Sequence, residues 1–284
     1  MKAALRATKD HVHLDGYEQA PGYMGRPAQG ARPAHSTGHR ASGHRGLEKI
    51  LGILDGSRLA PAVRDMASPV FRRLPAAGNL PTRAYAFVPI ADWAKLADFI
   101  KANGRGDDWL RWGGVKGFVD GSLGSTTAWF HEPYADAPQT RGLQMVESAT
   151  LAGLIQSADR AGLHVAVHAI GDQANDWLLD TYERIAREDG PRDRRFRIEH
   201  AQHLTPAAIR RFGPLGVAPS MQPYHPIDDG RWAGERVGGG RLEGTYAFNA
   251  LLAAKAPLTF GSDWPVAPLN PMTGIGAAVT RRTK

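Results

Sequence analysis

LHVAVHAIGD, residues 163–172, runs from an apolar segment into a histidine and then a Gly-Asp pair. A short continuous apolar run bounded by turn signals reads as a strand buried on both faces, the kind found in parallel sheets. Such a strand has no structural need for His168 and Asp172 at its C-terminal end, so that end is where chemistry is expected. The pattern recurs: RAYAFVPI (83–90), GGVKGFVDG (113–121), RFRIEHAQH (195–203), GVAPSMQPYH (216–225) and APLTFGSDWP (256–265) are also short apolar runs. Between them lie the helical patterns ADWAKLADFIKANG (91–104), SATLAGLIQSADRAG (148–162), ANDWLLDTYERIARED (174–189) and TPAAIRRFGPLG (205–216). In the second, Leu151, Leu154, Ile155 and Ala158 share a face, and Gly162 stands where a C-cap belongs. Asp172 is read as the cap of the helix that begins near Gln173.

Strands alternating with helices of this length give βαβ units and a mostly parallel sheet, an α/β fold. An open doubly wound sheet would carry a nucleotide fingerprint, and neither G-x-G-x-x-G nor G-x-x-x-x-G-K-[ST] is present. The (β/α)8 TIM-type barrel has a different signature: polar residues at the C-terminal ends of several strands. Lys116, His168, His200 and Asp263 stand at four such ends, and if all face one mouth they form a divalent-metal inventory. An ammonium repels a cation, so Lys116 fits only if CO2 adds to its amine, giving an anionic carbamate ligand.

Composition narrows the alternatives. With 284 residues, 42% hydrophobic and 22% charged, the chain can bury one large core. It has no cysteine, which removes disulfides, thiolate nucleophiles and Cys-ligated zinc, and suits a reducing compartment. The net charge of +7 is spread along the chain, and its densest cluster, RDRRFR (192–197), sits beside Glu188 and Asp189, so no nucleic-acid partner is expected. No stretch approaches the roughly 20 apolar residues of a membrane helix, and the N-terminus lacks a signal-peptide core. A cytoplasmic location and no membrane partner are therefore expected. Residues 1–65 include GYMGRPAQGARPAHSTGHRASGHRG (22–46), too poor in apolar residues to pack, and are read as an irregular arm with His35, His39 and His44 solvated. The barrel domain is assigned to residues 66–284.

KGFVDGSLGSTTAWFHEPY (116–134), HAIGDQA (168–174), RIEHAQH (197–203), SMQPYH (220–225) and GSDWP (261–265), in that order, resemble the amidohydrolase superfamily. More narrowly they are similar to its amidohydrolase 3 branch of YtcJ-like metal-dependent hydrolases. The resemblance implies a metal-bearing (β/α)8 barrel with a small flanking β-sandwich. It also implies zinc or another divalent transition metal, one or two ions, held by a carbamylated Lys116, His168, His200 and Asp263. Asp263 would then shuttle a proton between the attacking water and the leaving nitrogen of a small amide, formamide or cyclic amide. Lactones and phosphoesters would use the same parts. Asp120 and His225 are the candidate substrate-binding residues, although Asp120 and Glu199 also fit ligand partners or salt bridges, and His225 also fits a stacked rim histidine. A homo-oligomer is compatible with this reading.

Two features depart from the family pattern. A His-x-His on strand one is matched only by His11 and His13, in a context without the usual apolar run and close to Lys116, and no strands for the sandwich are evident. An incomplete barrel is therefore expected, with a catalytically impaired remnant that binds metal weakly or not at all as the alternative to an active enzyme.

Overall fold

The computed structural model describes residues 11–14 and 83–282. The arm expected over residues 1–65 lies outside the described residues except for His11–Leu14. Those four residues form β1, which pairs in parallel with β2 (Arg83–Pro89). A first strand that its flanking sequence did not announce is thus present.

The sheet continues through β3 (Leu110–Phe118), β4 (His164–Ala169), β5 (Arg197–His200), β6 (Ala218–Met221) and β7 (Thr259–Phe260). Every pairing is parallel and the spatial order equals the chain order, β1 to β7. Consecutive order is that of a barrel wall, whereas a doubly wound sheet reverses at a switch point. Because β1 and β7 are the two edges of this order, the described residues form an incomplete TIM-type barrel.

Crossover helices cover one side of the wall: α1 (Trp93–Asn103), α2 (Ser148–Arg160), α3 (Asp172–Glu188) and α4 (Pro206–Leu215). Their apolar faces meet one parity of the strands. Leu151, Ile155, Leu178, Leu179, Ile185 and Phe212 are fully buried in one core with Val115, Val165, Val167 and Ile198. Local signals set the helix ends. The Glu147 carboxylate accepts from the amides of Ala149 and Thr150 at the start of α2, and Gly162, at φ 72°, follows its end. Thr205 Oγ1 accepts from Ala208 N at 3.0 Å to open α4, which closes on Gly216 in the left-handed region.

Two local expectations are corrected. Asp172 does not cap α3; the helix already includes it, and its Oδ1 instead accepts from His131 N at 2.8 Å. Between β6 and β7 the chain adds α5 (His225–Asp229), α6 (Ala233–Val237) and α7 (Phe248–Ala253), where the strand–helix rhythm gave no signal. Part of this insertion packs on the loop after β3. Leu123, Phe130, Tyr134, Ile170, Ala233 and Val237 form a second small core beside the C-terminal ends of the strands.

Candidate metal centre

Register determines which side chains share the inner face of the wall. Phe118 pairs with His168, which pairs with Glu199, and Lys116 pairs with Ala166. Side chains two apart on a strand share a face, so Lys116 and Phe118 lie on the same side as His168. Lys116 Nζ lies 4.5 Å from the centre of the Phe118 ring, and that ring is 5.2 Å from His168. His200 pairs with Ala169, which is buried in the helix-side core, so a regular strand would turn His200 away from His168. The backbone prevents this: φ is 75° at His200 and 43° at Ala201, and the His200 ring stands 4.5 Å from that of His168. Left-handed φ at a non-glycine residue costs about 1–3 kcal/mol, and such strain clusters at functional sites.

The remaining members arrive from later elements. His225 begins α5 and stacks on His200, with centroids 6.0 Å apart and planes at 17°. Asp263 follows β7 at φ 57°, with Oδ2 3.7 Å from His225 Nε2. One ligand atom from each of His200, His225 and Asp263 lies within 4.8 Å of the other two. His168 adjoins this group through His200, and Lys116 adjoins it through Phe118 and His168.

Hydrogen bonds fix the imidazole tautomers. His168 Nε2 is 2.8 Å from the Gly121 carbonyl, which can only accept, so Nε2 carries the proton and Nδ1 the lone pair. His200 Nδ1 is 2.7 Å from Gln222 Oε1, again an acceptor, so the lone pair of His200 is on Nε2. Burial, and then the charges of His200 and Lys116, hold His168 well below the usual histidine range. Burial, with His200, pulls His225 down to about 4 against the opposing pull of Asp263 and Asp228. Neutral imidazoles with oriented lone pairs beside a carboxylate fit a divalent transition metal. Sequence reasoning passed over Gln222, although its place directly after β6 in SMQPYH was a usable signal. Gln222→Leu removes the acceptor that orients His200 and is expected to weaken zinc affinity by about 10–100-fold, measured by chelator competition.

Asp120 is placed differently from the expected substrate contact. Its side chain is fully buried, and its oxygens accept from Trp129 N at 2.8 Å, Ile170 N at 3.0 Å and Gly171 N at 2.8 Å. Burial raises the carboxyl to about 7 despite those three donors. Its Oδ1 also stands 3.5 Å from His168 Nε2, so it ties the loop after β3 to the end of β4 behind the histidine. Glu199 pairs with Arg197, whose Nε donates to Glu199 Oε1 at 2.7 Å, the salt-bridge alternative for that residue.

His203 belongs to a neighbouring buried network. Its Nδ1 donates to Thr245 Oγ1 at 2.9 Å and its Nε2 accepts from Gln202 Nε2 at 3.2 Å. Burial lowers its pKa from 6.5 to about 3. Between those values the unfolded chain binds the proton and the folded chain does not, so stability is full above pH 6.5 and falls as pH drops toward 3. His168 and His225 shift in the same direction. The urea midpoint is therefore expected to be lower at pH 5 than at pH 7, with a smaller drop in His203→Gln. An unchanged drop would remove His203 from the account.

Comparison with known proteins agrees with this architecture. Residues 52–284 match the model of the amidohydrolase family, in its third branch. The chain is 42% identical over 249 residues to Protein LONG AFTER FAR-RED 3 of Arabidopsis thaliana, an alignment covering 85% of this chain and 43% of that protein. It is 34% identical over 216 residues to YtcJ of Bacillus subtilis (strain 168), covering 75% of this chain and 39% of that one. The crystal structure of an uncharacterized metal-dependent hydrolase from Pyrococcus horikoshii OT3 superposes with a TM-score of 0.65 at 36% identity, over 74% of this chain and 42% of that one. The chain thus spans less than half the length of each relative. With a match that runs through all five strand-end motifs, the chain belongs to the amidohydrolase family.

Proposed function

We propose that this chain contributes the metal-binding wall of a hydrolase that cleaves a carbon–nitrogen bond in a small amide, formamide or cyclic amide. What supports this reading is the grouping of His200 with His225 and Asp263, beside a His168 ring 4.5 Å from that of His200, with the His168 and His200 tautomers fixed by acceptors behind them. A divalent metal held there, zinc being the proposed ion, would acidify a water and polarise the substrate carbonyl. Asp263 would accept one proton from the attacking water on a carboxylate oxygen and return it to the leaving nitrogen as the C–N bond breaks. One water is consumed; an open amide or formamide gives a carboxylic acid and an amine, and a cyclic amide gives one ring-opened product that carries both groups. Lys116, as its carbamate, would add an anionic oxygen ligand beside His168; the amine takes up CO2 and loses one proton. The histidines serve as neutral ligands, with Gln222 and the Gly121 carbonyl holding their ring N–H groups. Among the described residues no helix is long and apolar enough to cross a membrane, and a cytoplasmic enzyme is the proposed setting.

The test is to strip the purified chain with chelator, restore zinc and bicarbonate, and assay N-acyl amines, formamides and cyclic amides. Metal-dependent release of amine supports the reading. A zinc-loaded protein that turns over none of the panel contradicts it.

A further inference from the structure

We infer that His225 is a metal ligand, forming with His200 and Asp263 a three-residue group in place of a histidine that only touches substrate. The inference rests on the proposed metal centre but assigns it a ligand that the strand-end pattern of Lys116, His168, His200 and Asp263 does not contain.

Three observations carry it. First, ligand atoms of His200, His225 and Asp263 lie within 4.8 Å of one another, and the described residues hold no other such group of three histidine or carboxylate side chains. Second, His225 Nε2 is buried and has no hydrogen-bond partner. A buried imidazole nitrogen left unsatisfied is destabilising, and an ion accepting its lone pair removes that cost. Third, the distance from this nitrogen to Asp263 Oδ2 is 3.7 Å, too long for a hydrogen bond. Two atoms bound to one tetrahedral ion at about 2.0–2.2 Å lie about 3.3–3.6 Å apart, close to that separation. The ring is also well placed to stay there. It stacks on His200, and its backbone N–H donates to Gln222 O at 3.2 Å, which ties the start of α5 to the residue that orients His200.

The experiment measures zinc affinity of the full chain by competition with a chromophoric chelator, in wild type, His225→Ala, His225→Gln and His200→Ala. The visible spectrum of each cobalt(II)-loaded protein is recorded alongside. Circular dichroism of the metal-free variants shows whether each folds, and His225→Gln decides if His225→Ala does not. The expected result is a loss of affinity of about 10-fold or more in the His225 variants, together with altered cobalt bands. Wild-type affinity and an unchanged cobalt spectrum in both His225 variants, while His200→Ala loses zinc, would overturn this inference and leave the metal centre standing. Absence of zinc binding in the wild type itself would remove both.

Discussion

His200→Ala is expected to lower zinc affinity by more than about 100-fold, because even partners that only orient a ligand are worth 10–100-fold. His200 is the hub of the cluster: its ring contacts those of His168 and His225, and its ligand atom lies within 4.8 Å of those from His225 and Asp263. It reaches that position through left-handed backbone at two successive non-glycine residues. Replacing the imidazole removes the lone-pair nitrogen and leaves Gln222 Oε1 without the donor it faces. Alanine keeps the strand, so circular dichroism is expected to be unchanged while chelator competition records the loss. Zinc affinity equal to wild type would place the ion elsewhere.

Asp263→Asn is expected to reduce metal-dependent turnover by about 10²–10⁴-fold, the range that positioned acid–base groups contribute. Asparagine matches the carboxylate in shape, but its amide cannot take a proton from water near neutral pH or return one to the leaving nitrogen. The loop is expected to tolerate the change, because Val266 N donates to the backbone carbonyl of Asp263 and not to its side chain. The measurement is the rate of amine release at saturating zinc, with bound metal counted in the same samples. A variant that retains its metal and its rate would exclude Asp263 as the proton carrier.

The barrel wall from β2 onward was readable because each strand falls in a short, largely apolar run and each crossover helix shows a clear apolar face, whereas β1 has no such run around it. Strand order followed from the absence of a nucleotide fingerprint and from polar residues at the strand ends. Less of the site was readable. His168 and Lys116 fall at positions a strand pattern predicts, but His200 sits one residue out of phase. Only its positive φ explains how it joins them, and no residue pattern announces that conformation for histidine. Gln222 and His225 lie beyond the end of β6, where side chains are aimed by a turn and a short helix and strand alternation no longer applies. Asp120 looked available to substrate because a carboxylate at a strand end usually is. Three backbone N–H groups from two different loops occupy it instead, a long-range arrangement that spacing does not show. Helix α6 was missed because WAGERVGGGRLEG (232–244) carries too few apolar residues to display a 3.6-residue period, and α5 and α7, at five and six residues, are too short to show one.

The central claim is that the C-terminal ends of these strands hold a divalent metal at His200. Crystals grown with zinc and measured on both sides of its absorption edge test this most directly. An anomalous difference peak bonded to His200 Nε2, with Asp263 and His225 among its protein contacts, is the predicted result. Zinc peaks only elsewhere on the molecule, or none at His200 at saturating zinc, would contradict the account.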